Sequence, residues 1–560
     1  MYPTTGIMSY KFVLEFFNGS ISNLILARVT AASLPKGLAV SDMWTILQSI
    51  NLLCQCIGSI LVAPLAKRFG TPTVLSTSIL CFAVVIALVS IIEAATGGVI
   101  PPADAKDLLV KNPATNVTTV TLVAMQSKYW GSWSPYILFF IFPVAGIFHG
   151  MVEIIRRVIP ADIVGGDPEK LKKMDASVHM WYEVAGTSGA FVAAYSIAKF
   201  GYAFSTIWIP VSFTMAFLFW RLIKVDHAPE VDEKQAGVTS EAQVILSTGA
   251  VEEEPKRSLC GEIAFFFGAF FHSVKVGAVL VFTNRSLIWL IPAYVLPLVV
   301  HRYFENTFFP FYTKYNLGDG ATQQILVGGS NFGELLGAFA VLLTATTIRT
   351  PLPWIRADAI SLFLIFFFCA FVVPNQVAKF DAKSQLTTLT FPAGAAINAI
   401  GWAWRMAPIS ALVSFGWASG DVSLSAYVQE RLQPLERKEK TVSLLGSVMS
   451  FLYVSYLVIF FVLNIGISKC LGNLNFTAVY GAKAAPYDVV LATMQFDWYM
   501  IGGVFFTLSA IIIFAATFIP HNSCAVNPDM PADEITFPEG LLDMKGMTAK
   551  DKASLELVAS

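Results

Sequence analysis

The stretch Pro72–Ala94 reads PTVLSTSILCFAVVIALVSIIEA, and Glu93 is its only charged residue. At about 1.5 Å rise per residue, a helix of this length crosses a hydrocarbon core about 30 Å thick. Its apolar residues run continuously instead of alternating, which selects a spanning helix over a barrel strand. Reading outward with the same ruler yields twelve spans, at about 8–28, 43–64, 72–94, 134–158, 176–198, 204–224, 286–310, 321–345, 354–374, 405–430, 441–465 and 494–518. Composition agrees: 55% of the 560 residues are hydrophobic and 13% charged, too few polar groups to cover a soluble surface. The expected class is an all-α integral membrane protein of two six-helix bundles.

The connections sort into two kinds. One set of short loops carries Lys67 and Arg68, Arg156 and Arg157, Lys170, Lys172 and Lys173, Arg349, and Arg431 through Lys440. Basic loops stay in the cytoplasm, so both termini are expected there. The sequons at Asn116 and Asn475 then fall outside as glycosylation sites, while Asn18-Gly-Ser is buried in the first span and silent. Residues 1–224 form the first bundle and 286–518 the second. The polar stretch 225–285 is a linker holding one interfacial helix around Ile263–Leu280, interrupted by His272 and Lys275. Residues 519–560 are a polar tail. The Gly-, Pro- and Asn-rich stretch 387–404 is placed in an outer loop. The seven cysteines lie mostly in or beside apolar runs and imply no disulfide framework. No cleavable leader is expected ahead of the first span. A formal net charge of −1 argues against a nucleic-acid partner.

The halves echo each other: span four ends at Arg157 three residues before Pro160, and span ten ends at Arg431 three before Pro434. Repeated halves are the usual plan of secondary transporters. At the turn after span two, Ala63-Pro-Leu-Ala-Lys67-Arg68-Phe69-Gly70 resembles the Gly-x-Leu-Ala-Asp-Arg-x-Gly signature of the major facilitator superfamily. The arginine and the closing glycine match, whereas Ala63 and Lys67 replace the glycine and aspartate. Span five carries Gly186-x-x-Gly189, a faint relative of that family's antiporter motif. The resemblance implies a solute carrier whose spans one, four, seven and ten line a central cavity, with Lys67, Arg68 and Gly70 at a gating turn. The overall style looks fungal or otherwise eukaryotic, with the plasma membrane as the expected location and an endomembrane such as the vacuolar one as the other.

Ionisable residues inside spans are expensive and become functional candidates by default. Glu15, His149, Glu153, His301, Arg302, Glu305 and Asp421 are assigned to a solute and proton pathway, and His179, Glu183 and Glu334 to coupling or packing. His149–Glu153, His179–Glu183 and His301–Glu305 are each four apart, so one helical turn would place each pair on one face as a proton relay. Arg302 is also suited to an anionic solute. Gly333-Glu334-Leu-Leu-Gly337 has the small neighbours of a tight helix contact. The expected function is secondary transport of a small organic solute, proton-coupled, with export favoured by the span-five motif. The partners are the solute, protons and the lipid bilayer. No cofactor or enzymatic role is expected, because no Walker loop, HExxH pair or nucleophile motif stands out. The rivals are a metal-ion or nutrient uptake carrier and a non-transporting sensor on the same scaffold.

Overall fold

The computed structural model describes residues 2–25 (except 23), 40–98, 109–111, 118–120, 131–164, 168–222, 259–313, 322–344, 347–348, 350–370, 377–381, 386–390, 399–436, 444–471 and 496–528 (except 497). Thirteen principal helices are seen among them. The first half holds α1 (Tyr2–Phe16, continued by a π-helical turn Phe17–Ile21), α2 (Val40–Phe69), α3 (Thr71–Ala95), α4 (Leu138–Val164), α5 (Pro168–Phe200) and α6 (Trp208–Arg221). Then come α7 (Leu259–Thr283), α8 (Arg285–Tyr312), α9 (Gln323–Thr344), α10 (Leu352–Ala370), α11 (Ala399–Glu436), α12 (Leu444–Leu471) and α13 (Tyr499–Ala516). Every span expected from the sequence finds a helix.

Eight of these helices are long and apolar enough to cross a membrane: α2, α3, the α4 stretch Pro135–Glu153, α8, α9, α10, α12 and α13. This makes the chain a multi-pass membrane protein. The other four expected spans correspond to α1, α5, α6 and α11, whose described residues do not meet that standard. The α-helical parts of α1 and α6 are short, at 15 and 14 residues, while α5 opens on the charged turn Pro-Glu-Lys-Leu-Lys-Lys.

The all-α expectation needs one addition. The long loops after α3 and after α10 supply β1 (Leu109–Lys111), β2 (Thr118–Val120), β3 (Val377–Asp381) and β4 (Leu386–Thr390), an antiparallel sheet ordered β1-β2-β4-β3. Residues 387–390 are therefore strand, and 399–404 are the opening turns of α11 instead of loop. Thr119 pairs with Thr390 and Val120 with Leu389, so the sheet joins the two halves. Helix α7 lies against α12 and touches α2, with Phe282 edge-on to Phe451 and Gly277 seated on the Ser447 carbonyl.

The halves meet through α5 on α9 and α2 on α12. Trp44 donates its indole N–H to the Asn306 carbonyl at 3.3 Å. Thr307 donates to Asn464 Oδ1 at 3.0 Å, and Asn464 donates on to Ser49 at 3.4 Å. Phe191 of α5 packs on Trp404 of α11, with centroids 5.0 Å apart. Buried polar atoms need partners away from water, and Trp44 and Asn464 find theirs across the seam between the bundles. The start of the tail is also held. Arg356 donates to the Thr517 hydroxyl at 3.0 Å and to the carbonyls of Ser523 and Ala525, and Arg285 donates to the Ile519 carbonyl at 2.8 Å. The sequons at Asn116 and Asn475 lie outside the described residues.

Candidate functional site

Helix α9 organises the polar centre. Neighbouring residues Ser330 and Asn331 both sit half-way along it and reach two different acids. Ser330 Oγ donates to Glu305 Oε1 of α8 at 2.6 Å, while Asn331 Nδ2 donates to Glu15 Oε1 of α1 at 3.2 Å. Ser330 is engaged in turn by Ser414 of α11 at 2.6 Å. Glu15 is buried and pairs with Lys11 one turn earlier, Nζ to Oε1 2.7 Å, and Lys11 also lies 4.9 Å from the Tyr182 ring centroid. Glu334, a turn beyond Ser330, is within electrostatic reach of Glu183, Glu305, Lys11 and Arg302. Gly333 and Gly337 seat against the Ala411 and Phe415 carbonyls of α11. The glycines of that motif thus pack, while Glu334 between them joins the charges.

Arg302 completes the cluster. Its side chain is 53% exposed, yet Glu305, Tyr456 of α12, Glu334 and Tyr182 of α5 all act on its charge. A half-open guanidinium with neighbours from both bundles marks the crevice between them. Its contact with Glu305 is loose, at 3.7 Å. Among the described residues the cluster brings together two cations, Lys11 and Arg302, and four carboxylates, Glu15, Glu183, Glu305 and Glu334.

No protein-family model matches the sequence, and no curated protein is similar to it at the sequence level. Solved structures are similar in fold. The POT family transporter PepTSo superposes with a TM-score of 0.51 at 13% identity, covering 92% of this chain and 96% of that one. The major facilitator superfamily proton:xylose symporter XylE gives 0.48 at 11% identity over 93% of this chain and 95% of that one, and the nucleoside transporter NupG gives 0.46 at 12% over 93% and 99%. The chain has the major facilitator fold.

Within this fold the expected site residues divide. Glu15, Glu183, Arg302, Glu305 and Glu334 are brought together. His149 and Glu153 stay on α4 as expected, but their closest approach is 3.8 Å, beyond hydrogen-bonding distance. His149 sits among Tyr10 and Phe82, and Glu153 accepts from the Tyr182 hydroxyl at 3.3 Å. The expected His301–Glu305 relay is not formed. A π-helical turn over Phe304–Phe308 breaks the four-residue register, and His301 Nε2 instead lies 2.9 Å from Asp358 Oδ1 of α10. Asp421 lines a small recess near that pair and away from the cluster. The His179 side chain lies outside the described residues, as do those of Lys67 and Arg68 at the end of α2. Gly70 follows with φ +81°, a left-handed backbone that suits glycine and lets α3 start at once. The Gly186–Gly189 motif serves packing here: a side chain at Gly186 would run into Lys11 and Asn331, and one at Gly189 into the Phe12 carbonyl.

Lys11, Asp358 and Asn331 escaped the sequence reading. Lys11 carried the same signal as the histidine pairs, four residues before a glutamate, but it stands near the start of its span, where lysines commonly snorkel. Asp358 has no partner at helical spacing, because its partner lies on another helix.

Proposed function

We propose that the chain is a secondary transporter that moves a small organic solute through the crevice between its two bundles, coupled to protons. The observation that carries this reading is the six-charge cluster, drawn from α1 and α5 of one half and α8 and α9 of the other. A site built from both halves is remade whenever they rock, which is what alternating access at a central site requires. Arg302 offers an exposed cation to an anionic group on the solute. The carboxylates Glu334 and Glu305 take up protons or a cationic group on one side and release them on the other. The basic short loops support both termini in the cytoplasm, with the plasma membrane as the location.

Flux in proteoliposomes under an imposed pH gradient, screened across solute classes, tests the reading. Wild-type protein moves its solute, and Glu305→Gln and Glu334→Gln each abolish gradient-driven flux without loss of folded protein. Undiminished gradient-driven flux in both variants removes the cluster from the mechanism. Ligand binding without flux makes the chain a receptor.

A further inference from the structure

The cluster leaves a second ionisable centre unused. His301 and Asp358 are 3% and 2% exposed and 2.9 Å apart, both inside the second bundle. Trp417 of α11 stacks on the imidazole, with centroids 5.2 Å apart and planes 22° from parallel. A small recess lined by Asp358, Trp417, Asp421 and Tyr294 reaches the Asp358 side of the pair.

We propose that His301 and Asp358 form a proton-holding dyad, distinct from the central cluster, that passes its protonation state to the cluster through α8. With Asp358 accepting from Nε2–H, the proton that comes and goes is the one on Nδ1. Protonated, the dyad is an imidazolium against a carboxylate, neutral overall. Loss of the Nδ1 proton to water leaves a neutral imidazole and a bare buried carboxylate. The packed elements carry further titratable groups, among them Tyr294, Arg302, Tyr303 and Glu305 on α8, Tyr427 and Arg431 on α11, Tyr453 and Tyr456 on α12, and Arg356 on α10, the last bound to residues 517–525. Helix α13 brings none between residues 500 and 516.

The route to the cluster is the backbone. His301 belongs to the α-helical segment Leu296–Tyr303, set between π-helical turns at Ile291–Val295 and Phe304–Phe308. Such turns mark functional places in helices. Arg302 shares that segment and Glu305 lies in the second π-turn. Rotation of the segment when the dyad loses its proton thus carries both cluster residues with it.

The coupling role rests on the transporter reading, whereas the dyad itself does not, and two measurements separate them. Tryptophan fluorescence of the full chain in nanodiscs, titrated from about pH 4 to about pH 9, shows a one-proton transition that His301→Gln and Trp417→Phe both remove. Asp358→Asn, which keeps a hydrogen-bond acceptor, displaces the midpoint by about one pH unit or more. A transition unchanged in His301→Gln, or a midpoint unmoved in Asp358→Asn, overturns the dyad. In proteoliposomes, with the solute returned by the flux screen, Asp358→Asn still exchanges solute at equal pH but loses the roughly ten-fold accumulation that one pH unit drives. Full accumulation in that variant overturns the coupling. A wild-type protein without flux for any solute refutes the transporter reading, and the fluorescence titration still decides the dyad.

Discussion

Helices α4 and α8 carry the same words, His-x-x-x-Glu, and fold them into different chemistry. In α4 the helix is regular, so His149 and Glu153 remain on one face, 3.8 Å apart and both partly exposed. In α8 the π-turn at Phe304–Phe308 swings Glu305 toward Ser330 of α9, while His301 turns to Asp358 of α10. The difference teaches that four-residue spacing specifies a pair only where the helix between is an unbroken α-helix. Where the pitch widens, the neighbouring helices choose the partners.

The comparison breaks most sharply at Asp358. Asp358→Ala leaves the imidazole buried without its partner, and removal of one member of such a pair costs about 3–5 kcal/mol. Thermal unfolding in detergent should show the largest loss of this set there, and a change as small as that at Glu153 would mean the two histidines differ less than their geometry. Ser330→Ala comes next. It strips Glu305 of a donor and leaves the Ser414 hydroxyl without that partner, a loss of about 1–3 kcal/mol that double-mutant analysis with Glu305→Gln should reduce. The smallest effect is expected at Glu153→Gln, below about 1 kcal/mol, because the contact with His149 is long and in part exposed. A loss there as large as at Asp358 would show that the α4 pair closes in the membrane.

Much of this was legible in the residues. Membrane depth is a property of each segment alone, since a spanning helix satisfies its own backbone, and the spans could be read from runs such as Pro72–Ala94. The acids Glu15, Glu183, Glu305 and Glu334 also announced themselves, because the cost of a charge at bilayer depth is local. Partners were harder. Lys11 was hidden by its place near the start of α1, and Asp358 by having its mate 57 residues away. The join between the β1-β2 and β4-β3 hairpins was beyond reach, since two-residue ladders between distant loops leave no periodic signal.

The sequence alone determined that this chain lives in a bilayer, roughly where it crosses, and which side chains are too costly to be there without use. Those follow from transfer energies that each residue carries wherever the chain folds. Only the tertiary structure decided which charges meet: that α9 gathers acids from α1 and α8, and that His301 belongs to Asp358 and not to Glu305. Pairing depends on distances between helices and on the local pitch of α8, and neither is a property of any one segment.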